Sequence, residues 1–222
     1  MGELIQLTAR RAARDARRPH ALPTFFFDVS DPLSYLMAEQ VERTLGEVQW
    51  VAADATALRD RAAEQSWLRE HAEARAKALR LPLVWPDTFP ASTPCALRAA
   101  AFACEIGAGP QFALAASRLA FCGGFDLEDP EALTEAAAAA GVPLDGCMQA
   151  AGERWRDEEL AEMAGALREH DIFELPAVTI GGRWFAGDAA LQRAGAVAAE
   201  PDRTGARHDE PRAYRRPLAP VG

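Results

Sequence analysis

The hydrophobic positions first form a clear pattern at 24–27, where a threonine is followed by three phenylalanines. Such a short, fully apolar run is typical of a strand. A polar break at 28–32 follows, after which apolar residues recur at helical spacing over 33–45, and Gly46 is expected to end that helix. A second strand is predicted over 48–51. The order strand, helix, strand indicates a βαβ crossover.

A block of helices is predicted in the middle of the chain. The stretch 55–80 is charged, alanine-rich and helix-favouring, whereas three prolines within 81–90 exclude a helix there. Pro94 marks the first turn of the next helix. One face of that helix is marked by Leu97, Ala101, Cys104 and Ala108. Further helices are predicted over 110–121, 130–140, 144–152 and 158–169.

The pattern changes again near the C-terminus. Strand propensity is high over 177–180, Gly181-Gly182 is a hairpin turn signal, and 183–185 is the returning strand. A last helix is predicted from Gly187-Asp188 to Ala198. The complete order is β-α-β, a block of helices, then β-β-α, which predicts an α/β protein with a thioredoxin-like fold and an all-helical insertion domain.

The domain organisation follows from this order and from the charge at the two ends. The net charge of the whole chain is −9, but residues 1–20 carry +3 and residues 201–222 carry +2. The segment 21–200 therefore carries a net charge of −14. The predicted parts are a basic N-terminal extension (1–22), a thioredoxin-like domain (23–54 and 172–199), a helical insertion (55–171) and a disordered tail (200–222).

Composition narrows the classes of function. The chain has 222 residues, with 24 Lys and Arg against 33 Asp and Glu, and so acidic a chain is a poor candidate for binding nucleic acid or an anionic membrane. No apolar run reaches the length of a membrane span, and the first 20 residues lack the apolar segment of a signal peptide. We therefore expect a cytoplasmic location. The four cysteines form no CxxC and have no zinc-finger spacing, so no metal is expected.

Two places in the chain are candidate sites. The turn Asp31-Pro32-Leu33-Ser34 lies at a helix N-terminus, where free N–H groups and the helix dipole favour a thiolate, an alkoxide or a bound anion. The alternative is a structural cap, with Asp31 or Ser30 capping the helix. The second place is Leu175-Pro176 at a strand entrance, where a cis bond would expose the backbone of Leu175 to an extended ligand; the sequence leaves cis and trans open.

The motifs at these places resemble one family. The segment 26–36, Phe-Phe-Asp-Val-Ser-Asp-Pro-Leu-Ser-Tyr-Leu, is similar to the active-site turn of the DsbA-like thioredoxin superfamily. It most resembles the branch of 2-hydroxychromene-2-carboxylate isomerases and kappa-class glutathione transferases, in which serine replaces the first redox cysteine. The segment 85–98 resembles that branch's entry to the helical domain, 174–178 its cis-proline loop, and 184–188 the turn after the closing hairpin.

The resemblance implies a glutathione-dependent isomerase acting on a small aromatic substrate. In that chemistry a serine hydroxyl helps to hold the glutathione thiol as a thiolate over the helix N-terminus, and the thiol adds reversibly to a conjugated double bond. The catalytic candidates that the resemblance implies are Asp31, Ser34 and Ser30. The implied substrate-binding residues are Leu175, Pro176, Gly187, Asp188, Trp85 and Phe89, with Asp188 at the γ-glutamyl ammonium group. The alternative interpretation of Trp85 and Phe89 is that they are aromatic residues of the core.

The sequence departs from this pattern at the catalytic position. Asp31 stands where the family has its serine, and an ionised carboxylate accepts hydrogen bonds but cannot donate one to a thiolate. It would also repel the thiolate and raise the pKa of the thiol. Ser34 is retained, and Ser30 lies one residue early. Ala189 stands where many relatives carry arginine.

Several functions therefore compete. The first is the glutathione-dependent isomerase or transferase, and the second is a non-catalytic binding or scaffold protein on the same fold, with Asp31 as a helix cap. Disulfide exchange is disfavoured because the turn has no thiol. Asp31 as a general base is a further hypothesis. The family suggests a homodimer, and the four scattered histidines, which have no partner motif, suggest no catalytic role.

Overall fold

The structure, a computed structural model, describes residues 22–58 and 65–200. The predicted basic extension, apart from residue 22, and the predicted tail after residue 200 lie outside the described residues. A four-stranded mixed sheet is formed by β1 (Thr24–Phe27), β2 (Gln49–Ala52), β3 (Ala177–Ile180) and β4 (Arg183–Ala186). The helices are α1 (Pro32–Ala38), α2 (Val41–Leu45), α3 (Ala55–Leu58), α4 (Gln65–Leu79), α5 (Pro94–Glu105), α6 (Gly109–Gly123), α7 (Pro130–Ala140), α8 (Leu144–Gly152), α9 (Arg156–Arg168) and α10 (Ala190–Ala198).

The strand order is β2-β1-β3-β4, with β1 parallel to β2 and antiparallel to β3, and with β3 and β4 forming the predicted hairpin. This is the predicted thioredoxin-like topology, with α3 to α9 inserted between β2 and β3. The hairpin turn has positive φ at both Gly181 and Gly182, which glycine adopts without a steric penalty. The predicted fold class is therefore confirmed.

Strand β1 is buried throughout because both faces of the sheet are covered. Phe25 and Phe27 face the larger core, where both rings pack edge-on against Trp50. Phe26 faces a smaller core on the opposite side, which also contains Leu175 and other apolar side chains. A strand that is buried on both faces gains from apolar residues at every position rather than at alternate ones.

The single helix predicted after the first turn is two helices. The amide N–H of Gln40 bonds to the carbonyl of Met37 at 2.9 Å, whereas a continuing α-helix would direct it to Leu36. The side-chain amide of Gln40 donates to the Leu36 carbonyl instead, at 2.7 Å. The side chain thus replaces one backbone bond and ends α1, and Gly46, with φ of 77°, ends α2 as predicted.

The predicted face of α5 is only partly correct. Leu97 is buried, but Ala101 and Cys104 are half-buried, and the helix ends at Glu105, before Ala108. The alanines that are most buried on this helix are Ala96, Ala99, Ala100 and Ala103. Helix α5 packs against α6, α8 and β2, so several of its sides are covered. Because this helix is built largely of alanine, no bulky apolar residues mark its buried sides in the sequence.

Two buried arginines join the helices of the insertion. Arg98 of α5 donates two hydrogen bonds of 2.7 Å to Asp157 of α9 and a third, of 2.9 Å, to the carbonyl of Ala151. Arg156 of α9 pairs with Glu105 at the end of α5. Planar guanidinium groups suit such two-pronged bonds to carboxylates. Among the described helices, none is both long enough and apolar enough to cross a membrane.

We expect Arg98→Met to lower the free energy of unfolding by about 2 kcal/mol, because it leaves the Ala151 carbonyl and Asp157 without their buried donor. Arg118→Met is the matched control, since Arg118 also makes a two-pronged bond, to Glu39, but is 53% exposed and should contribute below about 1 kcal/mol. Urea unfolding measures both. Equal losses in the two variants would contradict the structural role of Arg98.

Candidate functional site

Asp31 is the N-cap of α1. Its backbone is extended, its carboxylate Oδ2 accepts the N–H of Ser34 at 2.7 Å, and Pro32 follows in the first turn. Only 3% of Asp31 is exposed. The carboxylate therefore lies directly at the free N–H groups of the helix, which is the place where a ligand thiolate or other anion would be stabilised.

The two serines of the turn bond to the turn itself. The backbone N–H and the hydroxyl of Ser30 both donate to Asp28 Oδ1 at 2.8 Å, and Ser34 Oγ accepts the N–H of Asp28 at 3.3 Å. Both serines are buried. The structure thus brings the three predicted catalytic residues together.

Asp28 is the residue at the turn that the sequence analysis did not single out. Its second carboxylate oxygen accepts the N–H of Ala55 at 3.0 Å, at the start of α3. Asp28 follows β1 and Ala55 follows β2, so this bond connects the C-terminal ends of the two parallel strands. The signal that could have identified it is the serine two residues later, because aspartate followed by such a residue commonly forms a side-chain turn.

We expect Asp28→Asn to lower the free energy of unfolding by about 2 kcal/mol, because an amide offers only one acceptor oxygen and turns an N–H toward a buried donor. Asp54→Asn is the matched control. Asp54 also bonds a hydroxyl residue two positions on, Thr56, but these bonds are exposed and asparagine caps helices equally well. Thermal unfolding that shows similar losses for both variants would contradict a special role for Asp28.

The loop at Leu175-Pro176 lies beside this turn. The register pairs Phe26 with Ala177, so Pro176 comes level with the end of β1, and the Leu175–Pro176 bond is cis. Leu175 points its side chain into the smaller core, and the carbonyl of Pro176 accepts the N–H of Gly187 at 2.9 Å. The predicted binding residues Leu175, Pro176 and Gly187 are therefore neighbours.

Gly187 has a specific steric reason to be glycine. Its φ is 75°, which is a conformation that favours glycine, and a Cβ added there would collide with the carboxylate of Glu174. The turn after the hairpin is thereby packed against the loop that precedes β3. Asp188 follows directly and lies two residues before α10 begins.

Asp188 is paired with a histidine from the helical insertion. Its Oδ2 lies 3.1 Å from Nε2 of His71 on α4, and the His71 ring stacks on Trp67 with 4.8 Å between centroids. Asp188 also lines a small pocket with apolar residues of α1 and with Arg75 of α4. His71 therefore has a partner in the fold, and the expectation that the histidines have no catalytic role stays a prediction. Nothing in the sequence indicated this pair, because only the tertiary structure brings α4 to the closing hairpin.

Trp85 and Phe89 lie together on the other side of the turn. Their ring centroids are 4.6 Å apart, and the Arg69 guanidinium lies over both rings, at 4.6 Å from Trp85 and 5.0 Å from Phe89. Phe89 and Ser30 line one pocket, which has room for about one water molecule. Phe89 is 7% exposed and belongs to the core. Ser30 of the turn and the predicted binding residue Phe89 thus line a common pocket, which is too small to hold the aromatic ring of a substrate.

The four cysteines are free thiols, and none lies in the turn. Burial raises the pKa of the thiols of Cys95 and Cys147, and it raises that of Cys104 to about 12. The Cys122 thiol lies 3.2 Å from the hydroxyl of Tyr35, whose pKa is raised by burial and by this contact. Within the described residues, no three His, Cys, Asp or Glu side chains converge to hold a metal ion.

We expect Cys104 to resist alkylation in the folded protein. With its pKa near 12 instead of 9.0, about a thousandfold less thiolate is present at pH 8, and the thiolate is the reactive form. Iodoacetamide labelling at pH 8, followed by peptide mass spectrometry with and without urea, measures this. Equal labelling rates in both conditions would contradict the expectation.

Comparison with known proteins identifies the fold. No protein-family model and no curated protein matches the chain. Among solved structures, 2-hydroxychromene-2-carboxylate isomerase matches with a TM-score of 0.67 at 15% identity, covering 79% of this chain and 93% of that one. A probable DsbA oxidoreductase from Streptomyces coelicolor matches with a TM-score of 0.67 at 17% identity, covering 90% and 93%. The chain therefore has a DsbA-like, thioredoxin-like fold, as its motifs predicted, and the structure of 2-hydroxychromene-2-carboxylate isomerase shares it.

Proposed function

We propose that this chain is a non-catalytic binding protein on the DsbA-like fold, which binds a glutathione-like ligand without activating its thiol. The observation that carries the proposal is the position of Asp31. Its carboxylate accepts the Ser34 N–H at 2.7 Å and so occupies the N-terminus of α1. An activated thiolate at this place would need the N–H groups of the helix N-terminus as its own hydrogen-bond donors.

The electrostatics of the turn support this proposal. An ionised carboxylate at the N-cap partly cancels the positive end of the helix dipole and repels a second negative charge. A thiol bound beside it keeps its proton more firmly, and the reaction of the isomerases needs that proton removed. The hydroxyl of Ser30 is meanwhile donated to Asp28 at 2.8 Å.

The second candidate is a glutathione-dependent isomerase or transferase that acts on a small aromatic substrate. Its supporting observation is the position of the Leu175-Pro176 loop level with the end of β1, together with the similarity of the fold to 2-hydroxychromene-2-carboxylate isomerase. A catalytic role for Asp31, Ser34 or Ser30 belongs to this candidate. The cytoplasmic location, the homodimer and the absence of nucleic-acid binding stay predictions under both candidates.

Calorimetric titration with glutathione and with S-methylglutathione separates the two candidates. A protein that does not stabilise a thiolate should bind both ligands within about twofold of each other, because a neutral thiol and a thioether differ little in what they offer the site. A clear preference for the free thiol, together with isomerisation of 2-hydroxychromene-2-carboxylate, would support the second candidate and overturn the first. Failure to bind either ligand would contradict both.

We expect Asp31→Ser to introduce the missing thiol activation. Serine keeps the N-cap, removes the negative charge and adds a donor, so bound glutathione should show about tenfold more thiolate absorbance near 240 nm at pH 7 than in the unaltered protein. Asp31→Asn is the control, because it keeps the cap and removes the charge without adding a hydroxyl. Equal thiolate signals in the unaltered protein and in Asp31→Ser would show that Asp31 does not suppress activation.

A further inference from the structure

A groove of about 470 Å³ lies between α6 and α7, on the side of α6 that faces away from the core. Its apolar floor consists of Leu114, Ala115 and Leu119, and Ala139 of α7 forms the facing wall. The described residues that line the groove all come from these two helices. The groove is therefore a separate place from the turn at 28–34.

The groove is open because small residues line it on both helices. A longer side chain at Ala115 or Ala139 would take up part of its volume. Leu114 and Leu119 are only half-buried, so both offer apolar surface to a ligand. A volume of this size is in the range of about 300–1,000 Å³ that is typical of sites for small organic molecules. The pocket beside Ser30, in contrast, has room for about one water molecule.

The charged groups at the groove favour a cationic ligand. Arg118 donates two hydrogen bonds, of 2.6 and 2.8 Å, to Glu39, so its positive charge is already compensated. Glu135 is exposed and also lines the groove, and within residues 22–58 and 65–200 no cation or hydrogen-bond donor is paired with it. Two carboxylates and one guanidinium leave a net negative charge, which attracts a cation and repels an anion.

We propose that the groove between α6 and α7 is a second binding site, which takes an aliphatic amine. The apolar body of the ligand lies on Leu114, Ala115 and Leu119, and its ammonium group donates to the carboxylate of Glu135. An ammonium group has three donors and no acceptor, so it suits a carboxylate that has no internal partner. The site shares no residue with the turn and does not depend on the proposed function.

Three probes with the same apolar chain and different head groups test this selection, namely octylammonium, octanol and octanoate. Titration of the full chain, followed by amide NMR, measures each affinity and shows which helices respond. We expect octylammonium to bind about fivefold more tightly than octanol, because its head group adds one exposed ion pair, and octanoate to bind more weakly than either. The shifted amides should lie in α6 and α7.

Two variants and one control locate the site. Glu135→Gln should make octylammonium and octanol bind equally, since only the charge of the rim is removed. Glu162→Gln is the matched control, because Glu162 is also an exposed helical glutamate but lies on α9, so the preference for octylammonium should persist. Ala139→Leu should weaken the binding of octylammonium and octanol together, because leucine fills the groove.

The outcomes are distinct from those that test the proposed function. A preference for octylammonium that is lost in Glu135→Gln alone, together with weaker binding in Ala139→Leu, supports the site. A preference for octanoate overturns it, and so does a preference for octylammonium that persists in Glu135→Gln or is lost equally in Glu162→Gln. Shifts confined to other helices, or no binding of any probe, also overturn it. None of these results changes the ratio between glutathione and S-methylglutathione.

Discussion

The buried carboxylate of Asp28 is the interaction on which the candidate site depends. It accepts both donors of Ser30 and the amide of Ala55, and so it holds the end of β1 against the start of α3. A buried carboxylate is tolerated only when donors surround it, and here the backbone supplies two of them. The conformation of the turn, and with it the position of Asp31 at the N-terminus of α1, follows from this arrangement.

Around that turn, three of the predicted site residues are bonded to other groups of the protein. Asp31 bonds the helix N–H that an anion would use, Ser30 donates its hydroxyl to Asp28, and His71 bonds Asp188. Burial keeps the pKa of Cys104 high. A DsbA-like fold therefore does not by itself imply thiol exchange or thiolate catalysis, since both depend on which side chains reach the N-terminus of one helix.

Much of the fold could be predicted because its signals are local. Three consecutive phenylalanines before a polar break indicate a buried strand, and Gly181-Gly182 indicates a hairpin whatever lies elsewhere in the chain. The errors occurred where local signals are weak. The helix after the turn divides because the Gln40 side chain replaces one backbone bond, and the buried side of α5 could not be assigned because alanine packs on any side.

The sequence by itself determined the topology and the presence of an aspartate, Asp31, before the first helix, because strand and helix propensities, turn residues and residue identity act over a few neighbouring positions. Only the tertiary structure decided what those residues contact. Asp28 meets Ala55 because two parallel strands end at the same edge, and His71 meets Asp188 because α4 packs across the closing turn. Such contacts arise from the packing of distant elements, and no periodicity along the chain records them.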